Sequence, residues 1–209
     1  MVSLRSKPSV LAERDVHQSE LLPQLFLAYG HDHLPSNILD VGVGGSYTID
    51  AFAFYRSRLH FLDLFSLALP EHGSDSRQQA YAHHAFRDLL SDCQGVAFDL
   101  CLFWDLPLLL TRPALRGLSI ALAPNLTEQS QGYVVGQRFA DREGQAWRYR
   151  IQDAQHLIRL PAEPESGTPC ATSASWSLQQ FSEDFDCFQL AADRLTPDGR
   201  LELLFGMGG

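Results

Sequence analysis

The run Ile38-Leu39-Asp40-Val41-Gly42-Val43-Gly44-Gly45-Ser46 holds the residues whose types and spacing suggest chemistry. Ile38, Leu39 and Val41 have the apolar character of a buried parallel strand. Gly42, Gly44 and Gly45 then allow a sharp turn and let the backbone approach a ligand with no Cβ in the way. A helical run follows over residues 47–55, so its first amides would point into the same crevice. A second apolar strand, Leu59-His60-Phe61-Leu62, ends in Asp63. A carboxylate there is placed to accept hydrogen bonds from ribose hydroxyls. These are the features of a nucleotide-type ligand held at the carboxyl end of a sheet. A tight strand–helix turn with no ligand is the plainer reading of the same glycines.

The elements that must position these residues follow from periodicity. Apolar Leu21, Leu22, Leu25, Phe26 and Tyr29 recur at helical spacing over residues 19–29, giving a helix that could lid the crevice, and Gly30 ends it. The strand at 38–42 comes next, then a helix over 46–56, a strand at 58–64 and a loop over 66–76. A helix over 76–92 carries Tyr81, His84, Phe86, Leu89 and Leu90. Residues 96–103 form a near-continuous apolar run, as a central parallel strand requires. Pro113 opens a short helix that Ala123-Pro124-Asn125 closes, and a strand over 131–139 follows. The segment 140–175 is the least patterned, with a short strand at 147–151 and a Pro/Ser/Thr-rich loop over 161–175. A helix over 177–186 precedes two strand-like runs, 187–195 and 200–205, joined by Thr196-Pro197-Asp198-Gly199. That linker has good hairpin chemistry.

As an ordered set these pieces resemble the class I S-adenosylmethionine (SAM)-dependent methyltransferases. The family pattern D-x-G-x-G-x-G falls on Asp40, Gly42, Gly44 and Ser46, the last glycine being replaced. Residues 98–105, Phe-Asp-Leu-Cys-Leu-Phe-Trp-Asp, resemble the family's fourth strand, and residues 132–136 its fifth. The resemblance implies a three-layer, Rossmann-like α/β fold, with a mostly parallel sheet and an antiparallel strand in a C-terminal hairpin. It also implies SAM as cofactor, held by Asp40, Gly42, Gly44, Ser46 and Asp63, with Trp104 walling the adenine or substrate pocket. Between Asp63 and Phe98 the family usually fits a third strand ending in an Asp. Here one helix and no convincing strand are found, and neither Asp88 nor Asp92 is selected as a substitute.

Each candidate has a plainer role beside the functional one. Asp40 orients the turn or accepts its backbone N–H groups. Asp63 binds ribose or caps a helix. Asp105 lies where the family often places a residue next to the reacting atom, as general base or orienting group. The alternative is a polar residue that starts a loop. Trp104 is a pocket wall or ordinary core packing. His31, His33, His83 and His84 lack the spacing of metal ligands, so no metal is expected. Trp176 and Phe181 are expected to anchor the last helix to the sheet. Neither a G-x-S-x-G elbow nor a Walker loop is present, which removes hydrolase and NTPase readings.

A formal net charge of −9 over 209 residues argues against non-specific attraction to nucleic acid or anionic membrane. The opening residues lack a signal peptide's apolar core, and no apolar stretch is long enough for a membrane span. Cys93, Cys101, Cys170 and Cys187 are scattered and read as free thiols, which suits a cytoplasmic protein. The expected organisation is a flexible segment over 1–18 and one domain over 19–209. The leading expectation is methyl transfer from SAM to an unidentified small-molecule or protein acceptor. The rival is a methyltransferase-like scaffold without activity that binds a protein partner, as the altered glycine motif and missing third strand would suit.

Overall fold

The computed structural model describes residues 15–29, 37–42, 47–53, 57–64, 67, 69, 73–137, 147–161, 177–197 and 199–207. In chain order these give β1 (Asp15–Gln18), α1 (Leu22–Tyr29), β2 (Asn37–Gly42), α2 (Tyr47–Phe52) and β3 (Arg58–Asp63). Next come α3 (Asp75–Leu89), β4 (Phe98–Leu102), α4 (Leu106–Leu109), α5 (Arg112–Leu122) and β5 (Leu126–Gln137). The chain continues through β6 (Trp147–Ile151), β7 (His156–Pro161), α6 (Leu178–Asp184), β8 (Gln189–Leu195) and β9 (Arg200–Gly206). No described helix is long and apolar enough to cross a membrane.

Six strands form the main sheet in the order β3-β2-β4-β5-β9-β8. β2, β3, β4 and β5 run parallel, and β9 enters antiparallel between β5 and β8. This is the mostly parallel α/β sheet with an antiparallel hairpin strand that the sequence implies. β4 sits near its middle, with only Asp99 of its five residues not buried, as expected of a strand covered on both faces. β3 pairs with β2 at the edge of the sheet, and no further strand flanks it among the described residues. The third strand, unreadable in the sequence, is therefore missing from the described sheet.

Alternation along β2 splits the core in two. Leu39 and Val41 face α3, α5 and α6, together with Phe103, Phe181 and Phe205. Phe181 is fully buried and anchors α6 as expected, whereas Trp176 lies outside the described residues. Ile38 faces α1 and Phe52 of α2 on the other side, with Trp104, Tyr133 and Tyr149. The helix starts are well determined locally. Thr111 caps α5 by accepting from the Ala114 N–H, and Ser177 and Gln180 make a reciprocal capping box on α6.

The helices α3 and α5 touch at Gly117, where a Cβ would lie 2.7 Å from the His83 backbone nitrogen and 2.9 Å from the Gln79 carbonyl oxygen. Backbone cannot yield as a side chain end can. Gly117→Ala is therefore expected to cost about 1–3 kcal/mol through overpacking. The check is a lower urea midpoint at unchanged slope. An unchanged midpoint would mean that the two helices separate freely.

The unforeseen part of the fold is a second, three-stranded sheet in the order β1-β7-β6, antiparallel throughout. It covers the α1/α2 side of the main sheet with Tyr149, Ile151 and Leu157. The strand at 147–151 is found as expected. The strand β7 was not expected, and residues 15–18, assigned to the flexible start, form β1. Residues 1–14 lie outside the described part. β5 also begins earlier than expected, at Leu126, with a register irregularity against β4 between Phe98 and Leu100.

Candidate functional site

The carboxyl ends of β2, β3 and β4 bring the candidate residues to one edge. Gly42 and Asp63 are direct partners in the parallel register of β2 and β3. The first glycine of the turn and the exposed acidic strand end are thus neighbours. Gly44 and Ser46 lie outside the described residues, as do His31 and His33.

Asp40 lies two residues before Gly42, buried on the small-sheet face. Its Oδ2 accepts from the Thr48 hydroxyl in the first turn of α2, and its Oδ1 accepts from the Trp104 indole N–H at 2.6 Å. Burial pushes the Asp40 pKa up, against the lowering effect of those two hydrogen bonds. The carboxylate is committed to a side chain on each side of the strand end.

Trp104 follows the end of β4 with φ of 41°, the one positive value at a non-glycine among the described residues. A bulky side chain held there costs on the order of 1–3 kcal/mol and persists only where its surroundings over-determine it. Those surroundings are specific. The indole is 6% exposed, stacks on Tyr149 with centroids 5.4 Å apart and planes within 6°, and meets the Tyr133 ring edge-on. Trp104 is thus packed in the core with Tyr133 and Tyr149, and its indole N–H occupies Asp40.

Asp105 is 1% exposed. Its Oδ1 accepts from the Tyr149 hydroxyl at 2.9 Å and its Oδ2 from the Trp147 backbone N–H at 3.3 Å. Both donors belong to β6, so Asp105 fastens the small sheet to the end of β4. Gly136 of β5 makes room for it, since a Cβ there would come within 2.8 Å of Oδ1. Burial raises the Asp105 pKa to about 7, although the Tyr149 hydroxyl, the Trp147 N–H and the charges of Arg159 and Arg200 all pull it down. A carboxyl balanced near neutrality suits proton transfer. In this conformation β6 stands between it and solvent.

A second buried polar cluster escaped the sequence reading. Glu202 of β9 is fully buried. Its Oε1 receives His17 Nε2 at 2.9 Å and the Tyr133 hydroxyl at 3.3 Å. Its Oε2 accepts from the backbone N–H groups of Glu20 and Leu21, both at 2.9 Å. Ser19 Oγ adds a bond with Tyr133 and caps α1 by accepting from the Leu22 N–H. Burial alone would raise the Glu202 pKa, but the bonds from His17, Leu21, Ser19 and Glu20 outweigh it and hold it below the ordinary value. Nothing in the sequence around Glu202 marks it. Tyr149 was more visible, because Trp147, Tyr149 and Ile151 alternate with two arginines, but its target lies 44 residues earlier.

No protein-family profile and no curated protein matches the chain. Solved structures do. It is similar to the pyocyanin biosynthetic protein PhzM at 15% identity and a TM-score of 0.48, covering 90% of this chain and 53% of that one. The chain thus spans about half the length of PhzM. It is similar to the PH0226 protein of Pyrococcus horikoshii OT3 at 12% identity and a TM-score of 0.50, covering 90% of each chain. A SAM-dependent methyltransferase of Aquifex aeolicus is similar at 11% identity and a TM-score of 0.48, covering 97% of this chain and 94% of that one. These likenesses are of fold. The strand order is that of a mostly parallel, Rossmann-like sheet with one antiparallel strand inserted next to its last.

Proposed function

We propose that the chain binds SAM at the carboxyl edge of β2 and β3 and transfers its methyl group to an acceptor. The observation that supports this reading is the register pairing of Gly42 with Asp63, which puts the first glycine of the motif beside a carboxylate that could bind ribose. Asp40, Gly42 and Asp63 would hold the cofactor, with Gly44 and Ser46 continuing the turn. When bound, SAM supplies an electrophilic methyl group on a sulfonium centre. The protein's part is to position the acceptor in line and to exclude water, so orientation provides most of the rate. Trp104 and Tyr149 contribute a dry aromatic wall, and Asp105 can hold a proton at its carboxyl near neutral pH.

One observation favours a second reading. Asp40 is bonded to Trp104 and Asp105 to Tyr149, which is how a scaffold that has closed its cofactor edge would look. Calorimetric titration with SAM and S-adenosylhomocysteine separates the two. Binding in the micromolar range, weakened at least about tenfold (~1.4 kcal/mol) by Asp63→Ala, is the expected result. No heat with either ligand, from a cooperatively folded sample, would replace the enzyme by the partner-binding scaffold.

A further inference from the structure

Trp104 belongs to a closed ring of contacts that joins the carboxyl edge to the small sheet. Its indole N–H holds Asp40, and Asp40 holds Thr48 of α2. Two residues on, Asp50 of α2 pairs with Arg150 of β6 at 3.1 Å. The neighbour of Arg150, Tyr149, stacks on Trp104 and donates to Asp105, which completes the ring. The Trp104 backbone is strained in this arrangement, so leaving it releases energy that part of the closed state must supply. A strained residue held by the side chains around it relaxes if those contacts let go.

We propose that Trp104 is a plug that couples opening of the carboxyl edge at Asp40 to undocking of the small sheet. Withdrawal of the indole from Asp40 frees one oxygen of the carboxylate, two residues before Gly42. The same movement removes the stacking partner of Tyr149, one of the contacts that dock β6 alongside Asp105, the Arg150–Asp50 pair and the packing of Ile151. Stacking of this kind adds to the gain from burial, whereas an exposed ion pair adds little. Release of the plug therefore weakens the hold on the β6 end of the small sheet, while the His17–Glu202 contact still holds β1. By linkage, loosening the small sheet must also weaken the hold on Asp40 and α2. The ligand arm of the proposal rests on the cofactor reading above, whereas the coupling itself does not.

Two variants test it from opposite ends. Trp104→Phe keeps an aromatic ring against Tyr149 but has no donor for Asp40. Tyr149→Phe keeps the ring but has no donor for Asp105. Hydrogen–deuterium exchange is the primary readout. Trp104→Phe is expected to speed exchange at least about tenfold across residues 147–161, with 98–102 unchanged. Tyr149→Phe is expected to speed exchange in residues 47–52, which belong to a different element. Changes confined to the substituted element, or spread evenly over the whole sheet, overturn the coupling. In a parallel titration with S-adenosylhomocysteine, Trp104→Phe is expected to bind at least about tenfold tighter than the parent chain, because no plug has to be displaced. Coupled exchange without binding by either protein would leave the plug standing and remove the cofactor reading. Equal binding by both proteins with unchanged exchange would do the reverse.

Discussion

Replacing Glu202 by alanine is expected to remove about 3–5 kcal/mol of stability, because it leaves several buried donors without their acceptor. Small domains have only about 5–15 kcal/mol in total. The substitution takes away the acceptor of four donors at once: His17 Nε2, the Tyr133 hydroxyl and the N–H groups of Glu20 and Leu21. All sit at the junction of β1, α1 and β9, where water does not replace the lost carboxylate. Glu202→Gln is expected to cost less, about 1–2 kcal/mol. Its amide oxygen still serves the two backbone N–H groups, and its NH2 can donate to Tyr133. Urea unfolding gives both values, and an alanine variant within ~1 kcal/mol of the parent would show that the cluster is not a clamp.

Asp105 is expected to make the protein less stable as pH rises from about 4 to 7, an unusual direction for a carboxylate. Its pKa is about 7 in the fold against an ordinary value of 3.8. Across that window the unfolded chain releases the proton while the folded chain keeps it. The folded state therefore loses ground steadily, by about 4 kcal/mol once pH exceeds 7. The groups facing the carboxyl set this balance: Tyr149, the Trp147 N–H, Arg159 and Arg200 favour the anion, and burial outweighs them. Asp105→Asn does not titrate. Its stability should be flatter between pH 4 and 7, below the parent in acid and level with or above it near pH 8. Glu202 acts in the opposite sense, because its pKa is lowered and its contribution is lost as pH falls below the ordinary 4.5. The difference between parent and Asp105→Asn cancels that background. Parallel pH profiles for the two proteins would sink the assignment.

The sequence carried the parts of this fold that are set by runs within one strand or one turn. The apolar run of β4, the Ile38–Gly42 strand with its glycine turn, and the Pro-Asp-Gly hairpin are each readable without knowing any neighbour. The lack of a convincing strand between Asp63 and Phe98 was also legible, and the described residues there hold α3 and no strand. The small sheet was not, because β1 has four residues and β7 six, and their partners lie far along the chain. Short strands take their identity from what they pair with, and propensity says little about that. The candidate site divides in the same way. Asp40, Gly42, Asp63, Trp104 and Asp105 were found from position along strands and turns. Their actual bonds were not, since Tyr149 reaches Asp105 over 44 residues and Trp104 reaches Asp40 over 64.

The clamp between His17 and Glu202 closes across 185 residues. Contacts that distant form only after the intervening chain has ordered enough to reward the loop they close. β9 must first slot between β5 and β8, and only then does it present Glu202 to the segment Asp15–Leu22. On the ribosome that segment emerges long before its partner has been synthesised. The stretch made earliest among the described residues is thus among the last to settle, and until then β7 and the α1 side of the main sheet stay uncovered, a window in which a chaperone or a neighbouring chain can reach them.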